Sequence, residues 1–186
     1  MTVLPTPSQT VGPFYGYALP FPGGPDIAPP GHPGTITVHG HVLDGAGEPV
    51  PDAVLEFWQP APDGSRTGAP GSMRRDPVSG GHLGRDGLTF TGFGRVATDA
   101  DGGWAVRTLP PGGVPYLCVC VFARGLLHHL YTRVYLPGVS VDSDPLLASL
   151  TPARRRTLTA VEAAPRTYRF DIRLQGPEET VFLDFR

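Results

Sequence analysis

The sequence predicts an all-β fold, an antiparallel β-sandwich, and three observations support this. The 186 residues are enough for one domain with a buried core. Hydrophobic residues make up 40% of the chain and charged residues only 17%, which is typical of a globular protein. The 25 Gly and 23 Pro residues follow no repeat period and separate short apolar or alternating segments. Many short strands with little helix indicate a sandwich.

An extended arm is predicted for residues 1–34, which are rich in proline and glycine and lack regular periodicity. Its stretch TPSQTVGPFY nevertheless carries Val11, Phe14 and Tyr15, which favour burial. The sandwich is predicted to occupy residues 35–186.

Eight segments after the arm are predicted as strands because turn residues bound each of them. In order they are TITVHGHVLD, AVLEFWQ, LTFTGFGRVATD, GGWAVRTL, YLCVCVFA, HHLYTRVYL, RTYRFDIRLQ and TVFLDF. Residues 65–87 are predicted to form a long polar loop, a kind that is usually functional or mobile. A short helical segment near 144–162 is predicted because prolines follow the capping residues Asp144 and Thr151.

Composition argues against several classes of function. The net charge is -2 and there is no basic stripe, which disfavours nucleic acid as a partner. No signal-peptide pattern or membrane-length apolar run is evident. Cys118 and Cys120 lie two apart on a predicted strand, so they share a face and are too far apart for a disulfide. We expect them to be reduced and buried on a core strand with Tyr116 and Phe122, as suits a cytoplasmic protein.

Two candidate sites follow from residue chemistry alone. His39 and His41 share one face of a strand and could begin a metal site, although no further ligands are evident. Ordinary surface or core-edge histidines are the alternative. Arg124 lies between an apolar strand and a turn, where its guanidinium could bind a carboxylate or form a structural ion pair. We find no nucleophile elbow and no phosphate loop.

Five stretches together resemble the intradiol ring-cleavage dioxygenases, and in particular the alpha, non-metal-binding subunit of heteromeric members. These stretches are TPSQTVGPFY, GHVLDGAGEPVPDAVLEFWQPAPDG, FGRVATDADGGWAVRTLPPG, VFARGLLHHLYTRVYL and YRFDIRLQGPEETVFLDF. The resemblance covers nearly the whole chain except residues 65–87 and 138–165. It implies a β-sandwich and a non-haem Fe(III), held by two tyrosinates and two histidines of a homologous beta subunit.

The resemblance also implies that this chain has lost the metal ligands. The four matching positions hold Arg66, Val114, Tyr116 and Cys118. A fixed cation would repel a trivalent ion, and one phenol with one thiol does not rebuild the ligand set. We therefore expect no metal and no catalytic residue on this chain, which would act only in an αβ hetero-oligomer.

The resemblance gives the arm a role in binding substrate. In the family, the alpha arm forms one wall of the beta subunit's substrate pocket, and its contacts match Thr10, Gly12 and Pro13. The alpha-chain arginine near the ring carboxylate matches Arg124. The implied reaction is cleavage of 3,4-dihydroxybenzoate by O2 to 3-carboxy-cis,cis-muconate, a step of aromatic catabolism in the β-ketoadipate pathway. The arm would bury Phe14 and Tyr15 against the partner.

Two other functions stay open. The pattern of strand, Asp-Gly turn and strand in GHVLDGAGEPVPDAVLEFWQ also occurs in non-enzymatic binding modules of the transthyretin or carboxypeptidase-regulatory type. A self-sufficient dioxygenase that uses His39 and His41 is a further hypothesis.

Overall fold

The computed structural model describes residues 6, 7, 9, 10, 12, 14–70 and 72–185. The strands are β1 (Ile36–Leu43), β2 (Val54–Trp58), β3 (Met73–Arg75), β4 (His82–Arg85), β5 (Phe93–Ala97), β6 (Gly103–Thr108), β7 (Tyr116–Phe122), β8 (Leu130–Tyr135), β9 (Val161–Ala164), β10 (Thr167–Arg169) and β11 (Ile172–Arg173). The helices are α1 (Tyr15–Ala18), α2 (Pro145–Ser149) and α3 (Pro152–Arg156), with a 3₁₀ turn at Val141–Ser143. None of the described helices is long and apolar enough to cross a membrane.

Two sheets share one core, which confirms the predicted β-sandwich. One sheet is antiparallel in the order β5-β2-β7-β8. In the other, β1 pairs antiparallel with β6 but parallel with β10 and β11, and β9 pairs with β10. The expectation of purely antiparallel sheets is therefore wrong for this sheet. Parallel pairing is possible because the second sheet lies between these strands in sequence and serves as the crossover.

The core forms where the inward faces of the two sheets meet. β1 alternates between buried and half-buried residues along its whole length. Phe57 of β2 is fully buried, and its ring centroid lies 5.2 Å from that of Trp104 on the opposite sheet. β7 contributes Leu117, Val119 and Val121 to the same core. Because strand side chains alternate, these three residues fix the orientation of the whole strand.

Cys118 and Cys120 share a face of β7 as predicted, but this face points away from the core. The inward positions of β7 hold larger aliphatic residues, so the expectation of a core face was wrong. Both cysteines are free; Cys118 is exposed and Cys120 is buried. Burial, reinforced by Glu56, raises the pKa of Cys120 to about 12.

The region 65–87 is not one long loop, since β3 and β4 form a hairpin inside it. Arg85 at the end of β4 ties the hairpin to the sandwich. Its guanidinium donates to the Asp26 carbonyl oxygen at 3.2 Å and lies 5.5 Å from the Phe21 ring centroid. Burial lowers the pKa of Arg85 to about 10, an effect that Asp26 partly opposes. This anchor depends on residues distant in sequence, so periodicity could not predict it.

The C-terminal third agrees with the prediction in part. α2 and α3 lie within the predicted helical segment, and the side chains of Asp144 and Thr151 cap them as expected. β9 was not predicted. The segment TVFLDF does not form a strand; Leu183 makes only an isolated bridge to Tyr131.

Much of the region after residue 14 packs on the chain's own sandwich. Tyr15 begins α1 and is buried, and Phe21 and Ile27 are also buried. The expectation that Tyr15 is buried against a partner is therefore wrong. Phe14 remains 79% exposed.

Replacing Phe57 by Ala should lower the free energy of unfolding by about 3–5 kcal/mol, because the cavity would open between the two sheets. Equilibrium unfolding in urea measures this, with Val78→Ala as a control, since Val78 is 94% exposed on the hairpin. A loss below about 1 kcal/mol would show that the Phe57–Trp104 contact does not join the sheets.

Candidate functional site

The four positions matched to the family's metal ligands line one cavity of about 310 Å³. Arg66 comes from the loop after β2, Val114 from the loop before β7, and Tyr116 and Cys118 from β7 itself. Trp58, at the end of β2, adds an aromatic wall. Residues that are far apart in the chain thus surround a common space.

Hydrogen bonds hold the frame of this cavity. The Gln59 side chain donates to the Leu109 carbonyl at 2.7 Å and accepts from the Thr108 hydroxyl at 2.6 Å. The Gln59 backbone N–H donates to the Gly92 carbonyl at 2.9 Å. In the next turn, the Asp63 carboxylate accepts from the Ser65 N–H at 2.8 Å, directly before Arg66.

The residues of this cavity do not fit a ferric ion. Arg66 is a fixed cation and Val114 offers no donor atom, so only a phenol and a thiol are left. Burial raises the pKa of Cys118, with Arg133 and Arg66 in partial opposition, so its thiol stays protonated at neutral pH. Of the hard, anionic oxygen donors that Fe(III) prefers, these four positions can supply at most one, the Tyr116 phenolate.

A second arginine, which the sequence analysis missed, supports the floor of the cavity. Arg133 of β8 lies opposite Cys118 in the sheet, with its guanidinium carbon 3.9 Å from the Tyr116 ring centroid. It forms an ion pair of 3.1 Å with Asp144, which also caps α2. Burial raises the pKa of Tyr135 to about 12, although Arg133 opposes the shift. Of this ion pair, only Asp144 gave a signal in the sequence, as a helix cap. Its pairing with Arg133 is set by the tertiary fold and leaves no local signal.

One predicted arm residue, Thr10, lies beside the predicted arginine, just past the end of β7. The Thr10 hydroxyl accepts a hydrogen bond from the Gly125 N–H at 3.3 Å, beside Arg124. Gly12 has a φ of 73°, a left-handed conformation that favours glycine. Pro13 lies outside the described residues.

Arg124 forms a structural ion pair, which was the alternative interpretation of this residue in the sequence analysis. Its Nε lies 2.5 Å from a carboxylate oxygen of Asp52, while the side chain remains 61% exposed. The Tyr15 hydroxyl donates to the Asp52 backbone oxygen, so the start of α1 joins the same cluster. An exposed, oriented guanidinium therefore stands next to the arm.

The cavity and this arm cluster lie at opposite ends of β7. Arg124 comes six positions after Cys118, which in an extended strand corresponds to about 20 Å. Thr10 and Arg124 therefore cannot serve a ligand in the chain's own cavity.

The His39-Gly40-His41 motif has a structural explanation. A Cβ on Gly40 would come within 1.9 Å of the Phe170 carbonyl oxygen, so the close crossing of the C-terminal strands requires glycine here. His41 binds Asp171 through its backbone N–H at 3.0 Å and its ring at 3.5 Å. Among the described residues, no three His, Cys, Asp or Glu side chains gather as a metal site.

Comparison with known proteins agrees with this geometry. The family model described as "Dioxygenase" matches residues 23–119. The chain is 40% identical over 206 aligned residues to the protocatechuate 3,4-dioxygenase alpha chain of Burkholderia cepacia, with 98% of both proteins covered. It is 29% identical to the beta chain of the same species, over 78% of this chain and 66% of that protein.

A solved structure gives the same result. The dioxygenase domain of a dioxygenase–carbohydrate-binding fusion protein from Streptomyces sp. SirexAA-E superposes with a TM-score of 0.57 at 27% identity, covering 92% of this chain and 99% of that one. The family match spans more than half of the chain, and the alpha-chain match includes both the arm and the closing segment. This chain therefore belongs to the intradiol dioxygenase family, in the group of protocatechuate 3,4-dioxygenase alpha chains.

Proposed function

We propose that this chain is the non-metal-binding subunit of a protocatechuate 3,4-dioxygenase and forms one wall of the substrate pocket of a homologous beta subunit. The assembled enzyme cleaves 3,4-dihydroxybenzoate with O2 between the two hydroxyl-bearing carbons. The product is 3-carboxy-cis,cis-muconate. The similarity to both an alpha and a beta chain supports an αβ hetero-oligomer.

One observation carries this proposal: the cavity and the substrate-binding cluster are separated within the chain. A self-sufficient enzyme needs its binding groups at its own reacting centre. Here Thr10 and Arg124 lie about 20 Å from the cavity, at the other end of β7. This separation supports a role for them in a pocket on another chain.

The chemistry of the cluster suits a carboxylated catechol. The exposed guanidinium of Arg124 can pair with the ring carboxylate, which favours this substrate over plain catechol and attracts it electrostatically. Gly12 lets the arm backbone approach the flat ring closely, and Pro13 stiffens the segment. Asp52 holds Arg124 in place, so the side chain loses less freedom when substrate binds.

The metal belongs to the partner in this proposal. The donor set around the cavity of this chain does not fit Fe(III), so we assign the ion to the beta subunit. The division into an arm of residues 1–34 and a sandwich of residues 35–186 is part of the same proposal. Cys118 and Cys120 are both free, which supports a cytoplasmic location.

The two alternative functions are less well supported. A simple binding module needs neither the arm nor the closing segment, yet the alpha-chain similarity includes both. A self-sufficient dioxygenase would need further ligands beside His39 and His41, and among the described residues no three His, Cys, Asp or Glu side chains gather as a metal site.

Co-expression with the beta subunit tests the assembly. Purified alone, this chain should bind no stoichiometric iron and should not cleave 3,4-dihydroxybenzoate. A tagged copy should pull down the beta subunit together with iron and activity. The beta subunit expressed alone is the control. Turnover by the lone chain at the rate of the assembly would contradict the proposal.

Replacing Arg124 by Ala should mainly raise the KM for 3,4-dihydroxybenzoate. A lost charged hydrogen bond costs about 1.5–3 kcal/mol, which corresponds to about 10- to 150-fold. Steady-state kinetics of the complex measure this, and the KM for unsubstituted catechol should change little. Arg74→Ala is the matched control, because Arg74 is an exposed arginine on the β3–β4 hairpin.

An Asp52→Asn variant distinguishes a role of Arg124 in substrate binding from a role in stabilising the fold. It breaks the same ion pair and keeps the guanidinium. An unchanged KM in Arg124→Ala would remove Arg124 from the substrate wall. Equal losses in the Arg124 and Asp52 variants, together with reduced thermal stability, would assign the ion pair a structural role only.

Replacing Gly12 by Ala should lower kcat/KM of the complex. The new Cβ meets no described atom of this chain within 4 Å, so a steric effect does not come from the described part of the chain. The left-handed backbone adds a cost of about 1–2 kcal/mol. Gly16→Ala in α1 is the control, since its Cβ would also be free and its φ is not positive. A Gly12→Ala complex with the kcat/KM of the unmodified enzyme would exclude close approach of the arm to substrate.

A further inference from the structure

The cavity at Arg66 keeps the features of a ligand site although its residues do not fit a metal. Its volume of about 310 Å³ lies at the lower end of the range for small-molecule pockets, roughly 300–1,000 Å³. A single-ring molecule fits this space. The hydrogen-bonded frame around Gln59 keeps the space open in the folded chain.

The described residues that line the cavity carry charge of one sign only, which is positive. None of the described residues that line it is acidic, and Arg66 is its only charged side chain. Arg66 forms no hydrogen bond or ion pair with any residue that the structure describes, so its guanidinium is available to a ligand. Both Arg66 and Arg133 act to lower the pKa of Cys118 on the cavity wall, which indicates a positive potential there. The complementary ligand is an anion.

The walls favour a flat, aromatic ligand. Trp58 is 54% exposed beside the cavity, and its ring is supported by Phe93 at 4.3 Å between centroids. Tyr116 is held between Arg133 and Tyr135, with the Tyr135 ring 5.5 Å away. Rigidly supported aromatic faces bind a planar ring with little loss of conformational freedom.

We propose that this cavity binds a small aromatic carboxylate, with the ring against Trp58 and Tyr116 and the carboxylate on Arg66. We assign the site to binding alone, because burial keeps its one thiol, Cys118, protonated and its residues do not form a metal ligand set. It would give the alpha chain a ligand of its own, in addition to the wall that it supplies to a partner.

Equilibrium dialysis with benzoate tests this on the complex of the chain with its beta subunit. The number of bound benzoate molecules is compared among the unmodified complex, Arg66→Gln and a matched control, Arg74→Gln. Val114→Phe is a second variant, which fills the cavity and leaves the charge in place. Benzamide serves as the uncharged isostere and cyclohexanecarboxylate as the non-planar acid.

Arg66→Gln should weaken one class of benzoate site by about tenfold or more, as expected for a lost charged hydrogen bond. Val114→Phe should remove that class, and Arg74→Gln should keep it. Benzamide and cyclohexanecarboxylate should compete poorly for it. The difference between the two arginine variants does not depend on iron, so it tests this inference separately from the proposed function.

Equal benzoate uptake in Arg66→Gln and Arg74→Gln overturns the proposal. A side chain of the partner that fills the cavity would produce this result, and the proposal would then be wrong as well. Equal binding of benzamide and benzoate at this site also overturns it, because the arginine would then contribute nothing.

Discussion

The alternation of side chains along β7 is the constraint on which the rest of the structure depends. Leu117, Val119 and Val121 must face the core, where the two sheets meet. The residues between them are thereby forced outward, and this places Cys118 in the cavity. The direction of the strand then carries the chain about 20 Å to Arg124. One packing requirement thus sets the cavity, the arm cluster and the distance between them.

Charge explains why the cavity of this sandwich does not suit a ferric ion. The guanidinium of Arg66 is a fixed cation that needs no folded partner. Arg133 adds a second cation nearby, whose charge Asp144 compensates. The cavity therefore favours anions where a ferric site would favour cations, and the fold is unaffected because the change lies on the outer face of the sheet.

The sequence predicted the elements whose signals are local. Alternation and turn residues identified β1, β2, β6, β7 and β8, and the caps at Asp144 and Thr151 located α2 and α3. Family matching brought the four residues around the cavity together. Long-range pairing was predicted less well: the hairpin β3–β4 depends on the anchor at Arg85, and the parallel pairing of β1 depends on a crossover that no short window contains.

The sequence by itself determined the sandwich and the residue types at the positions matched to the family's ligands, because periodicity and side-chain chemistry are local properties. Only the tertiary structure decided that Tyr15 packs against its own chain, that Arg124 pairs with Asp52 and that Arg133 supports the cavity. These contacts join residues far apart in sequence, and their geometry exists only once the two sheets have packed together.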